Sequence, residues 1–152
     1  MNLLPATTIA GAVSATVTPW VPLNGTPRNL SCQANFIYGG SGGTNVDVFI
    51  QTSLDGKLTA TDVAHFQFGT LSARYGCNIT TNSPLGTPLS SATVPDKQTP
   101  NLTLTDGSMS ANTAADGLLG PYIRVKYSSS GTYSAGTSVQ VDVQSADIPA
   151  FP

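Results

Sequence analysis

Ile123-Arg-Val-Lys-Tyr127 and, further on, Val139-Gln-Val-Asp-Val143 alternate apolar and polar residues without a break. Ile123, Val125 and Tyr127 share one side of the first run, with Arg124 and Lys126 on the other. In the second, Val139, Val141 and Val143 oppose Gln140 and Asp142. A period of two places every second side chain on the same face of a strand, so each run reads as a strand with one face in a core and one outside it. Ser128-Ser-Ser-Gly-Thr132 and Ala135-Gly136 lie between the two runs and predict an antiparallel hairpin.

The same rhythm extends toward the N-terminus. In Leu30–Tyr38 the positions 30, 32, 34, 36 and 38 are apolar, while Val46, Val48 and Ile50 alternate with Asp47, Phe49 and Gln51. Ala64, Phe66 and Phe68 form another inward set, and Tyr75, Cys77 and Ile79 repeat it. Val13, Ala15 and Val17 predict a strand near the start, and Leu89 to Val94 a weaker one. Asp55-Gly56 closes one strand, Gly39-Gly-Ser-Gly-Gly43 reads as a flexible connection, and Ser108 to Ala115 has room for a short helical turn. Seven to nine short strands with long connections imply an all-β, antiparallel β-sandwich with jelly-roll-like wiring.

Composition agrees. The chain of 152 residues has no glutamate, six Lys and Arg together, and a net charge of −2. Glu, Lys and Arg furnish the solvent face of helices, whereas Thr and Val suit pleated surfaces. The absence of any basic cluster argues against nucleic acid as a partner. No apolar run approaches the roughly 18 residues of a membrane span. The first residues lack a basic n-region and contain Pro5, so they do not read as a signal peptide, and the chain is expected to stay where it is made.

Three segments are expected. Residues 1–27 carry Leu3, Leu4 and Ile9 among Pro5, Pro19, Pro22 and Pro27 and read as an extended N-terminal arm with a possible first strand. Residues 28–144 form the sandwich and 145–152 a C-terminal tail. An apolar arm must lie on something, which makes Leu3, Leu4, Ile9, Trp20 and Phe151 the candidate partner contacts.

Candidate chemistry is sparse. Ser41 sits centrally in Gly39–Gly43 as in a nucleophile elbow, but that elbow needs a helix after it, and here strands flank both sides. His65, the one imidazole, falls on the polar side of its strand and reads as solvent-facing. Asp62 and Asp47 are the carboxylates that could orient it. Asp55, Asp106 and Asp116 each precede Gly, the usual chemistry of a turn. With no Asp-x-Asp-x-Asp loop and no metal-ligand spacing, neither metal nor cofactor is expected, and the chain does not read as an enzyme. Trp20, Tyr133 and Phe151 could stack on a sugar if exposed. Cys32 and Cys77 both point inward and are expected to be buried and reduced, a disulfide being the alternative.

Two stretches resemble small virion proteins of tailed bacteriophages. Val48-Phe-Ile-Gln-Thr-Ser-Leu-Asp-Gly56, followed by Thr61-Asp-Val-Ala-His-Phe-Gln-Phe68, is similar to a strand–turn–strand signature of those proteins. Asp116-Gly-Leu-Leu-Gly-Pro-Tyr-Ile-Arg-Val-Lys-Tyr127, with Gly131-Thr-Tyr133 and Thr137-Ser-Val-Gln-Val-Asp-Val143, resembles their C-terminal hairpin. The chain departs at Lys57-Leu58, where the turn usually has a second glycine and a nearby aromatic. Residues 46–68 and 116–143, about a third of the chain, carry the likeness. It implies a jelly-roll capsid decoration or cement protein on the virion surface, assembled in the host cytoplasm as a homotrimer and bound to the major capsid protein. A neck or tail position is the alternative within the virion. A carbohydrate-binding or adhesin-type sandwich is the alternative outside it.

Overall fold

The structure, a computed structural model, describes residues 1–23, 29–80, 104–115 and 119–146. Among them there is no helix. Ten strands follow one another: β1 (Asn2–Thr8), β2 (Thr16–Val17), β3 (Val21–Pro22), β4 (Asn29–Ile37), β5 (Asn45–Ser53), β6 (Thr61–Phe68), β7 (Ala73–Thr80), β8 (Thr113–Ala114), β9 (Tyr122–Ser130) and β10 (Ser138–Ala146). Two antiparallel sheets pack face to face, as the alternation predicts. One has the order β1-β10-β4-β7. The other runs β2-β9-β5-β6-β8, with β3 also beside β9.

The core lies between them. Leu30, Phe36, Val139, Val141 and Val143 point in from the smaller sheet, and Val46, Val48, Ile50, Phe66, Phe68, Ile123 and Val125 from the larger. Phe36 and Phe68 stack across the interface with ring centroids 5.0 Å apart. Each fully buried aliphatic or aromatic side chain of this kind contributes about 1.5–3 kcal/mol in transfer terms.

The expected N-terminal arm is instead an edge strand. Asn2–Thr8 pairs with β10, and Leu3, Leu4 and Ile9 are buried in the chain's own core. Pro5 is accommodated because the register with β10 slips between Leu4 and Thr7, so its missing N–H falls in an irregular stretch of an edge strand. A second slip, between Asn2 and Leu4, accompanies the inward placement of two consecutive leucines. Further along, only Thr16–Val17 of the expected 13–17 strand forms a ladder, with Val13 joined to β9 by a single backbone bond from the Ser129 amide, and Val17 is exposed.

The expected hairpin between the last two strands is not formed. β9 pairs with β5 while β10 pairs with β4 and β1, so residues 131–137 cross from one sheet to the other. Tyr133 plugs that crossing. It is buried, bridges Gly11 and Gly42 through its backbone, and donates its hydroxyl to the Gly69 carbonyl at 3.0 Å. The Gly39–Gly43 loop is consequently a fitted socket and not a slack connection. At Gly43, with φ +77°, a Cβ would run into the Tyr133 ring. Residues 108–115 form a turn and the short β8, with no helical turn. The weaker strand expected at 89–94 and the C-terminal tail from residue 147 lie outside the described residues, as does Phe151.

Candidate functional site

The outer face of the larger sheet carries most of the polar side chains that bond to one another. Register places Arg124, Gln51 and Asp62 in one row across β9, β5 and β6, and Lys126, Phe49 and His65 in the next. Asp62 reaches this face through a β-bulge. By parity it would join Ala64, Phe66 and Phe68 in the core, but the pairing slips between Ile50 and Gln51 and sets Asp62 opposite Gln51.

A strap, Leu104–Ala115, lies over these rows. The Asp62 amide donates to the Thr105 carbonyl at 2.8 Å, and the Ala115 amide donates to the Val63 carbonyl at 2.9 Å. The Asp62 carboxylate, itself buried, gathers the strap's turn. It accepts from the Gly107 amide at 2.7 Å, from Ser108 and Met109 amides at 3.1 and 3.3 Å, and from the Thr105 hydroxyl at 2.8 Å. A buried carboxylate is stable when its lone pairs are taken up in this way. Gln51 links it onward, its Nε2 donating to Asp62 and Asp106 at 2.8 Å each and its Oε1 accepting from Arg124 Nε at 2.9 Å. Lys126 holds Asp106 at 2.8 Å and, with Gln51, keeps that carboxyl below its ordinary range.

His65 is a correction to the sequence reading. It is 5% exposed, because the strap and Phe49 enclose it. Its ring stacks on Phe49 at a centroid distance of 4.0 Å. Nδ1 lies 2.8 Å from the Met109 carbonyl and Nε2 3.0 Å from Asp47 Oδ1, which also accepts from Gln67 Nε2 at 2.8 Å. A carbonyl and a carboxylate can only accept, so it is the protonated ring, with both nitrogens donating, that satisfies both contacts. Burial works against that charge, but the bonds to Asp47 and the Met109 carbonyl outweigh it and raise the pKa above 6.5. Asp47 is lowered in turn, chiefly by His65.

Chemically this arrangement is a fastening. Neither nitrogen of His65 is left to take a proton from a substrate, and the oxygens of Asp62 are committed to backbone amides. Ser41 lies in the Tyr133 socket, where its carbonyl accepts from the Ser134 amide at 3.2 Å, and no hydrogen bond joins it to His65 among the described residues. Among the described residues no three His, Cys or Asp side chains are grouped as a metal site.

Among the described residues, the expected partner contacts do not converge. Leu3, Leu4 and Ile9 belong to the core, and Trp20 is half-buried with the Arg124 guanidinium 4.4 Å over its ring. Tyr133, a candidate sugar platform, is also buried. Gln51 is the site residue without a signal of its own in the sequence, while Asp62 and Asp106, read there as a possible partner of His65 and as a turn residue, instead hold the strap. One signal was available: Phe49, an apolar side chain between outward Asp47 and Gln51, requires a cover on that face. The chain matches no protein-family model, and searches of curated proteins and of solved structures return no match.

Proposed function

We propose that this chain is a bacteriophage virion structural protein, a jelly-roll-like capsid decoration or cement protein that binds the outer surface of the major capsid protein lattice. The observation that carries this reading is the meeting of the two phage-like stretches. Residues 46–68 and 116–143 are far apart in sequence, yet β5 is hydrogen-bonded to β6 on one side and to β9 on the other. The resemblance therefore falls in part on adjoining strands of one sheet, β6, β5 and β9, while its last stretch, from Ser138 to Val143, lies on β10 of the facing sheet. The fully engaged polar network beside it also favours a scaffold over a reaction centre.

With the first strand in the core, attachment passes to the β5–β6 turn. Asp55 locks that turn, accepting from the Ser53 hydroxyl at 2.9 Å, the Leu58 and Thr59 amides at 3.1 and 2.9 Å, and the Thr59 hydroxyl at 2.7 Å. Leu54 and Leu58 stand out of it, 53% and 85% exposed. Apolar side chains on a prearranged turn dock without a large ordering cost. Repeated around a homotrimer, such contacts hold a protein on a lattice by avidity.

The test is cosedimentation of the protein with purified heads of the encoding phage. The intact chain is expected to pellet with heads. The double variant Leu54→Ser/Leu58→Ser should keep its circular dichroism and bind at least about tenfold more weakly, since each buried leucine is worth about 1.5–3 kcal/mol. Failure of the intact chain to bind overturns the reading, whereas equal binding by the variant moves the contact elsewhere. The carbohydrate alternative is disfavoured by Tyr133, which is buried, and by Trp20, which is half-buried with the Arg124 guanidinium over one ring face.

A further inference from the structure

We propose that Cys32 and Cys77 form an intramolecular thiol–disulfide site that ties the terminal strand of the smaller sheet to its neighbour. The two residues are direct partners in the β4–β7 ladder, between the pairs Leu30–Ile79 and Ala34–Tyr75 on the same face. Opposite residues in an antiparallel ladder have Cα atoms roughly 4.5–5.5 Å apart. That lies inside the roughly 4.4–6.8 Å window that a disulfide spans. Cβ atoms of such a pair stand roughly 4.5–5.5 Å apart, against roughly 3.5–4.5 Å in a bridge, so closure asks for a shift of about 1 Å. Among the described residues β7 is the terminal strand of its sheet, hydrogen-bonded to β4 alone, so such a shift disturbs one ladder.

The two side chains interact in the reduced chain. The Cys32 thiol is pushed far above its ordinary pKa, first by a hydrogen bond with Cys77, then by burial and the charge of Cys77. No bridge is present and both residues are thiols. They differ in access, Cys32 being buried and Cys77 half-buried, which sets the order of reaction with a small disulfide such as oxidised glutathione. Cys77 as thiolate attacks one glutathione sulfur, and the other leaves as a thiol carrying the proton. Capping Cys77 removes the interaction that most holds the Cys32 proton, and Cys32 then attacks the Cys77 sulfur of the mixed disulfide as its proton passes to the second glutathione, which leaves as a thiol. Two cysteine thiols lose two electrons and two protons, and one glutathione disulfide gains them. The bond closes the chain between residues 32 and 77.

The experiment incubates the folded, reduced, full chain with oxidised glutathione, quenches with acid, and digests without reductant. A Cys32–Cys77 linked peptide pair is expected, with both thiols lost together and the chain still unlinked to other copies. The melting temperature should rise by roughly 5–15 °C over the reduced chain. Cys77→Ala should leave one thiol that the oxidant does not consume while the chain is folded. Three results overturn the proposal: thiols that persist in the folded chain but oxidise once it is unfolded, a stable glutathione adduct at Cys77 that Cys32 never displaces, or bridges only between copies.

Discussion

His65 sits between two acceptors on separate parts of the chain, Asp47 on β5 and the Met109 carbonyl on the strap, so its charge ties the strap to the sheet. Its pKa is raised on folding, and below the ordinary value of 6.5 the ring is charged in folded and unfolded chains alike, with its stabilisation fully present. As pH rises through the higher folded-state value, that stabilisation is lost. Asp47 runs in the opposite sense. Its contribution is present above 3.8 and lost as pH falls through the lower value it has when folded. The pair therefore stabilises most between those two limits. Urea midpoints measured between roughly pH 5 and 9 should decline for the native chain and decline less for His65→Ala. Parallel profiles would show that the imidazolium is not the latch. At Gly43 the expectation is steric. Gly43→Ala must carry a Cβ at φ +77° and displace the Tyr133 ring, for a loss of about 2–4 kcal/mol in urea unfolding. A loss under about 1 kcal/mol would mean that the socket yields.

Among the elements, β1 and the strap have roles that segment-by-segment reading does not reveal. Deleting residues 2–8 removes the β10 partner together with Leu3 and Leu4. The truncated chain is expected to lose its cooperative melt, whereas a detachable arm would leave circular dichroism and melting unchanged. Asp62→Ala strands the amides of Gly107, Ser108 and Met109 that now share one carboxylate. A loss of about 3–5 kcal/mol is expected, with early proteolytic cutting at the strap. Much of the sandwich was legible in the sequence, because an alternating run of apolar residues marks each of the long strands β4, β5, β6, β7, β9 and β10. What escaped depended on neighbours distant in the chain. The bulge at Ile50/Gln51 that reorients Asp62 leaves no mark in Thr61-Asp-Val-Ala-His65, and Pro5 reads as a strand breaker until β10 supplies a slipped register. The strap's cover over His65 showed only as the oddity of Phe49. The β9–β10 link looked like a hairpin because its Ser and Gly residues suit a turn and a crossing equally.

For the whole molecule, one core shared by both sheets implies one unfolding event. Far-ultraviolet circular dichroism and tyrosine fluorescence should give superimposable urea transitions, as expected of a cooperative domain. Separate midpoints would show that the sheets unfold independently. The outer-face network has a practical consequence as well. The chain has one tryptophan and one histidine, and they stand at two places on the same bonded surface, Trp20 beneath Arg124 and His65 beneath the strap. Indole emission and the imidazole proton resonances are therefore single-site signals that need no labelling. One reports release of the Arg124 guanidinium from Trp20 and the other lifting of the strap, so their relative timing on binding a partner reads the direction in which a disturbance crosses the sheet.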